Sequence, residues 1–92
     1  MRQWVLVTAR RWELEDRTEE LRALVRRVVE DSRLSQQQIA RDAGMSYAAL
    51  HAWIIGTRTP RSDSLLQLAA GLELRADTLR KLATELREST ER

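Results

Sequence analysis

Apolar residues recur every three or four positions from residue 18 onward, which is the spacing of an amphipathic helix. The first such helix is predicted to start at Asp16 or Thr18, whose side chains can cap it, and to end near Arg33. Charged residues occupy its other side, so one face of the helix should pack against a core. This apolar stripe consists of Leu21, Leu24, Val25, Val28 and Val29.

Two short helices follow, and each has a serine at its start and a glycine at its end. Ser35 and Gln38 have the spacing of a capping box, and Gly44 is expected to end the helix in a left-handed conformation. Ser46 caps the next helix, which ends at Gly56. The residues predicted to point inward are Ile39, Ala40, Ala43, Met45, Leu50 and Trp53.

Two further helices complete a predicted set of five. The fourth is expected to begin at Ser62 or Asp63 and to stop at Gly71, and the fifth to begin at about Arg75. Residues 89–92 should fray at the chain end. The predicted apolar face comprises Leu65, Leu66, Leu68 and Ala69 in the fourth helix and Leu79, Leu82, Ala83 and Leu86 in the fifth. Alternatively, Leu79, Leu82 and Leu86 form a dimer seam.

Residues 1–17 have a different pattern, because the apolar run Trp4–Val7 favours a strand and the basic pair Arg10 and Arg11 follows. This segment is either a partly ordered arm whose tryptophans cover the core, or a strand that pairs with its twin in a dimer. A third interpretation places the arginines in a DNA minor groove. The predicted division is therefore an arm over 1–17, a folded domain over 18–88 and a tail over 89–92.

Composition narrows the class of protein. The chain of 92 residues is long enough for one domain, and its 42% hydrophobic and 33% charged residues are typical of a globular protein. It has no cysteine, one histidine and no glycine-rich phosphate loop, so we expect no metal site, no cofactor and no enzyme activity. No apolar run approaches a membrane span, and we expect a cytoplasmic protein. The net charge of +2 permits nucleic-acid binding without requiring it.

The spacing within residues 35–60 predicts two short helices that cross at a steep angle. Ala40 must be small because the next helix crosses close above it, and Gly44 must lack a side chain at the turn. Leu50 and Trp53 fix that next helix to the core and leave its opposite face free. Such an arrangement is a helix-turn-helix, and its DNA-binding version places the second helix in the major groove.

Here the chain resembles the XRE family, the DNA-binding domains of lambda-type phage repressors and Cro proteins. The resemblance implies an all-α, compact five-helix lambda-repressor-like bundle with a helix-turn-helix. It also implies a transcriptional repressor that binds double-stranded DNA as a homodimer on a pseudo-palindromic operator, associated with the nucleoid when bound. The matching residues are Ser35-Gln36, Ile39-Ala40, Gly44-Met45-Ser46, Leu50, Trp53-Ile54-Ile55-Gly56 and Pro60.

The resemblance also implies which residues contact DNA. In the family the start of the second helix contacts a phosphate, the exposed face of the third helix contacts bases, and the following loop contacts the backbone. On this chain the exposed face lacks the Arg, Gln or Asn that make bidentate base contacts, although His51 can donate to guanine. The implied DNA-binding residues are Gln36, Gln37, Ser46, Tyr47, Ala48, His51, Ala52, Thr57, Arg58 and Arg61.

One departure favours a second function. The glutamate that often follows the tryptophan in the family is replaced by Ile54, and Ile55 comes next. If both are exposed, they form an apolar spot that suits a protein partner, together with Trp4–Val7. The alternative function is therefore an antitoxin or a protein-interaction module whose helix-turn-helix domain also binds a partner protein.

Overall fold

The computed structural model describes the backbone of residues 2–91 and the side chains of residues 17–91. This part of the chain is helical and contains no strand. It is elongated, with extents of 74 × 26 × 19 Å, rather than the compact bundle that was expected. The reason is helix length, since a helix of 30 residues is about 45 Å long. The four helices are α1 (Arg2–Ser32), α2 (Gln36–Ala43), α3 (Tyr47–Ile55) and α4 (Ser62–Glu91).

The prediction of five helices is wrong for residues 2–91, because α4 continues through Gly71 to Glu91. Gly71 is buried, and a Cβ placed on it would lie 2.6 Å from the Ala43 Cα atom and 2.7 Å from the Ala43 nitrogen. The glycine therefore allows α2 and α4 to approach closely and does not end a helix. The tail predicted at 89–92 is likewise helical as far as Glu91.

The strand predicted at Trp4–Val7 is also absent, since α1 begins at Arg2 and not at Asp16 or Thr18. A single strand would leave its backbone N–H and C=O groups unpaired, whereas a helix pairs them within the segment. No glycine or proline interrupts residues 2–32. The roles suggested for the arm's tryptophans and arginines concern side chains that lie outside the described residues.

The core lies where α2 and α3 pack against one half of α1 and one half of α4. Leu50 is completely buried, and Trp53 is buried beside it, as the sequence predicts. Pro60 is buried in the connection that leads to α4. The buried apolar residues are Val25, Val29, Ile39, Ala40, Ala43, Leu50, Trp53 and Leu68, with Leu34, Met45, Ile54 and Leu65 partly buried around them.

Several leucines predicted to be buried are instead exposed. Leu24 is 40% exposed on α1, and Leu66 is 70% exposed on α4, where Ala69 is also exposed. One side of α4 packs on α2, and Leu66 lies about 160° around the helix from Leu68 because successive residues turn by about 100°. Apolar character alone did not identify the packed side of the helix.

The turn between α2 and α3 has the predicted caps. The Ser35 hydroxyl accepts a hydrogen bond from the Gln38 backbone N–H at 3.1 Å, and Gly44 has φ 69°. The Met45 N–H then donates to the Ala40 carbonyl at 2.9 Å, which closes the end of α2. The reciprocal half of the capping box does not form, because the Gln38 side chain donates to Asp42 Oδ1 at 2.9 Å.

An ion pair joins α2 to α4 at the edge of the core. The Arg75 guanidinium donates to both Asp42 carboxylate oxygens at 2.8 Å, and the Asp42 side chain is 11% exposed. The hydrogen bond from Arg75 lowers the pKa of the Asp42 carboxyl below its ordinary value, and the Gln38 amide contributes in the same direction. The pair fixes α2 against α4 next to the close contact at Gly71.

Asp42→Asn should destabilise the protein at neutral pH, because the variant loses the charge that Arg75 binds. The folded pKa is depressed, so the stabilisation by Asp42 is present above its unfolded value of about 3.9 and is lost as the pH falls through the folded pKa. Urea unfolding across that range should show the difference between variant and parent shrinking toward acid. Asp77→Asn is the control, since the Asp77–Arg80 pair is 58% and 72% exposed and should change stability little. A difference independent of pH would contradict the prediction.

Candidate nucleic-acid interface

The N-terminus of α3 is fixed by a serine cap. Ser46 has extended backbone angles, and its hydroxyl accepts from the Ala49 N–H at 3.1 Å. Because the capping bond uses only one lone pair of the hydroxyl, the exposed Ser46 oxygen can also contact a ligand. The cap sets where α3 begins and so which residues face outward.

The outward side of α3 carries the four residues that the sequence predicts. Leu50 and Trp53 are buried on the inner side, while Tyr47 is 46% exposed and Ala48 is exposed. His51 and Ala52 follow one turn later and are half-buried. The outer face is therefore small and weakly polar, and it contains no charged side chain.

Two aromatic rings and one amide organise this face. The rings of Tyr47 and His51 stack with their centroids 5.4 Å apart and their planes 15° from parallel. His51 Nδ1 lies 3.2 Å from Gln36 Oε1, so the first residue of α2 contacts the middle of α3. Gln37 is exposed beside it. The structure thus brings the predicted residue Gln36 to the predicted face of α3.

The loop after α3 folds back over the end of that helix. Gly56 has φ 87°, and the backbone N–H groups of Gly56 and Thr57 donate to the Ala52 carbonyl at 3.0 and 2.9 Å. The Thr57 hydroxyl donates to the same carbonyl at 3.3 Å. Arg58 and Arg61 are exposed, and their guanidinium groups form no hydrogen bond or ion pair with residues 17–91.

Two arginines of α1, which the sequence placed on a solvated face, also reach this loop. Arg26 Nε donates to the Ile54 carbonyl at 2.7 Å, and Arg22 donates to the Thr59 hydroxyl at 3.4 Å. Both guanidinium groups lie 3.9 Å from the position of a Cβ on Gly56. Their positive charge at the C-terminal end of α3 complements the helix dipole. In the sequence, the signal for this contact was that the two arginines are four residues apart, one helical turn, and lie next to the apolar Val25.

The two isoleucines do not form the apolar spot that they would form if both were exposed. Ile54 packs against the core, and Ile55 is 54% exposed. The side chains of Trp4–Val7 lie outside the described residues. Among the described side chains, Ile55 is therefore the exposed member of the apolar surface predicted for a protein partner.

Two capped helices around a glycine turn, with a free outer face on the second, define a helix-turn-helix protein. A family model described as helix-turn-helix matches residues 25–79, which is more than half of the chain. The chain belongs to the XRE family of helix-turn-helix domains, a DNA-binding regulatory family. No curated protein and no solved structure matches it. Within the described residues, no helix combines the length and hydropathy that crossing a membrane requires.

Proposed function

We propose that this protein is a transcriptional repressor that binds a specific double-stranded DNA site with α3 in the major groove. The observation that carries the proposal is the free outer face of α3, flanked by exposed arginines without partners in the described part of the chain. A helix with a buried inner face and an uncovered outer face can enter a groove without unfolding any part of the core. Repression follows where the bound site overlaps a promoter.

Most of the affinity should come from contacts to phosphates. Arg58 and Arg61 supply positive charge at one end of α3, and Gln36 with Gln37 lies at the N-terminus of α2, where backbone N–H groups favour an anion. Ser46 and Thr57 add hydroxyl groups at the two ends of the face. These contacts position the protein on DNA without selecting bases.

Base selection should come from Tyr47, Ala48 and His51, with Ala52 at the margin. The test is selection of bound sequences from a random DNA pool with the unchanged protein and with the double variant Tyr47→Ala/His51→Ala. We expect an enriched site with the former and an altered or weaker preference with the latter. If the double variant keeps both the affinity and the base preference of the parent, the assignment of α3 to the major groove is wrong. If the parent enriches no sequence from the pool, sequence-specific repression is excluded.

Arg58→Ala/Arg61→Ala should weaken binding to all DNA sequences alike. Each lost phosphate contact should reduce the slope of log K against log salt concentration by about 0.9, so the double variant should lose about 2. Titration of one selected and one unrelated duplex over a salt series measures this. Lys81→Ala/Arg87→Ala, at exposed positions of α4, is the control for the loss of two positive charges. A variant that weakened only the selected duplex would assign these arginines to base recognition instead.

We also propose a homodimer that pairs through the far half of α4. Beyond Arg75 this helix carries Leu79, Leu82 and Leu86, which are 53%, 49% and 72% exposed. Their spacing is that of a coiled-coil seam. The same side of the helix packs on α2 at Leu68, so the stripe continues the core outward. Two copies joined there would present two α3 helices, as a pseudo-palindromic operator requires.

The alternative function is that of an antitoxin, in which the domain also binds a partner protein. Ile54 packs against the core, so of the two isoleucines only Ile55 is exposed on the described surface. Copurification from the native host separates the two functions. A stoichiometric second protein bound through Ile55 would favour the antitoxin, and a homodimer bound to DNA would favour the repressor.

A further inference from the structure

The hydrogen bond between α2 and α3 determines which nitrogen of His51 carries a proton. His51 Nδ1 lies 3.2 Å from Gln36 Oε1, and an amide oxygen only accepts hydrogen bonds. Nδ1 must therefore be the donor. In a neutral imidazole the other nitrogen, Nε2, is then an acceptor.

The residues around the ring on α2 and α3 are uncharged. Tyr47 stacks on it, and α3 contains no Asp, Glu, Lys or Arg. The first turn of α2 offers only glutamines, and the charged residues of α2 lie at its other end, where Asp42 is bound by Arg75.

We propose that His51 selects a base with an exocyclic amino group, cytosine or adenine, at one position of the DNA site. The inference rests on the proposed function and sharpens it. In the major groove cytosine N4 and adenine N6 are donors, whereas guanine and thymine present acceptors there. A fixed Nε2 acceptor accepts from the first two and is repelled by the others. This replaces the expectation that His51 donates to guanine.

Gln36 is the positioning residue in this arrangement, and the stacked Tyr47 ring limits rotation of the imidazole. Without Gln36 the histidine could exchange its proton between the two nitrogens and accept or donate as the base demands. Discrimination at that position would then fall, in addition to any loss of affinity from the phosphate contact proposed for Gln36. The Gln36 amide thus holds the proton on Nδ1 of His51 and leaves Nε2 as a hydrogen-bond acceptor.

The proton position can be measured without DNA. His51 is the sole histidine of the chain, so its ring nitrogens give unambiguous NMR signals. At about pH 8 the full-length protein should show a protonated Nδ1 and a bare Nε2. Gln36→Leu should shift the population toward protonated Nε2, and Gln37→Leu is the matched control that should not. Protonated Nε2 in the unchanged protein would overturn the inference whether or not the protein binds DNA.

The base preference is measured by selection from a random DNA pool with the parent and with His51→Ala. The position that loses preference in the variant should favour cytosine or adenine by about fivefold at about pH 8. A preference for guanine or thymine at about pH 8, or no position that depends on His51, overturns this inference alone. A flat pool with the parent overturns the proposed function as well.

Discussion

Replacing Leu79 and Leu82 together by glutamate should convert the protein to a monomer and weaken operator binding by about 10²–10⁴-fold. The reason is that both leucines are about half exposed on the proposed seam, where four glutamates of a dimer would face one another. A monomer binds one half-site at a time and loses the gain from simultaneous engagement. Sedimentation and titration of a selected duplex measure the two effects.

The matched control is the double variant Leu66→Glu/Thr84→Glu. Both residues are exposed on the same helix, and each lies about 140° from Leu79 and about 160° from Leu82 around the helix axis. The control introduces the same charge and should remain dimeric. If both variants are dimers, the seam is elsewhere. If the parent is itself a monomer at operator-binding concentrations, the homodimer proposal fails.

Gly71→Ala should destabilise the fold by about 3 kcal/mol. The added methyl would lie 2.6 Å from the Ala43 Cα atom and 2.7 Å from its nitrogen, so backbone would have to move. This loss opposes the gain of about 1 kcal/mol that alanine normally brings to a helix interior. Urea unfolding at a fixed protein concentration measures the difference, with fixed concentration required because a dimer's stability depends on it.

Two further variants separate steric contact from helix propensity. Ala43→Gly combined with Gly71→Ala should not restore stability, because it removes only the Ala43 Cβ contact at 2.8 Å and leaves the two backbone contacts. Ala76→Gly, at an exposed position of α4, should cost about 1 kcal/mol and calibrates propensity. A Gly71→Ala variant as stable as the parent would show that α2 and α4 separate easily.

The sequence predicted the helix-turn-helix because its features are local. Ser35, Gly44 and Ser46 act on backbone groups within a few residues, and the inward positions of α2 and α3 follow from helical spacing. The structure has these features where they were predicted. The predicted outer face of α3 is also present, since it consists of the residues that remain on the outside once Leu50 and Trp53 are buried.

The predictions that were wrong concern features that depend on contacts between distant parts of the chain. Glycine is typical of helix ends and so predicts a helix stop at Gly71, but the neighbour of Gly71 in the fold is Ala43, 28 positions earlier in the chain. Leu66 was expected to be buried because apolar residues occur on both sides of α4. Trp4–Val7 favours a strand by composition, yet a strand needs a partner and a helix does not.

The positions of α2 and α3, their caps and their outward-facing residues follow from the amino-acid order alone, because each depends on contacts within one or two helical turns. The contacts between helices depend instead on how the helices pack in three dimensions. Asp42 and Arg75 are 33 residues apart, Arg22 and Thr59 are 37 apart, and Gln36 and His51 are 15 apart. Helical periodicity gives no information on which side chains of two different helices meet. The direction of the His51 hydrogen bond, and with it the inferred base preference, became visible only when α2 was packed against α3.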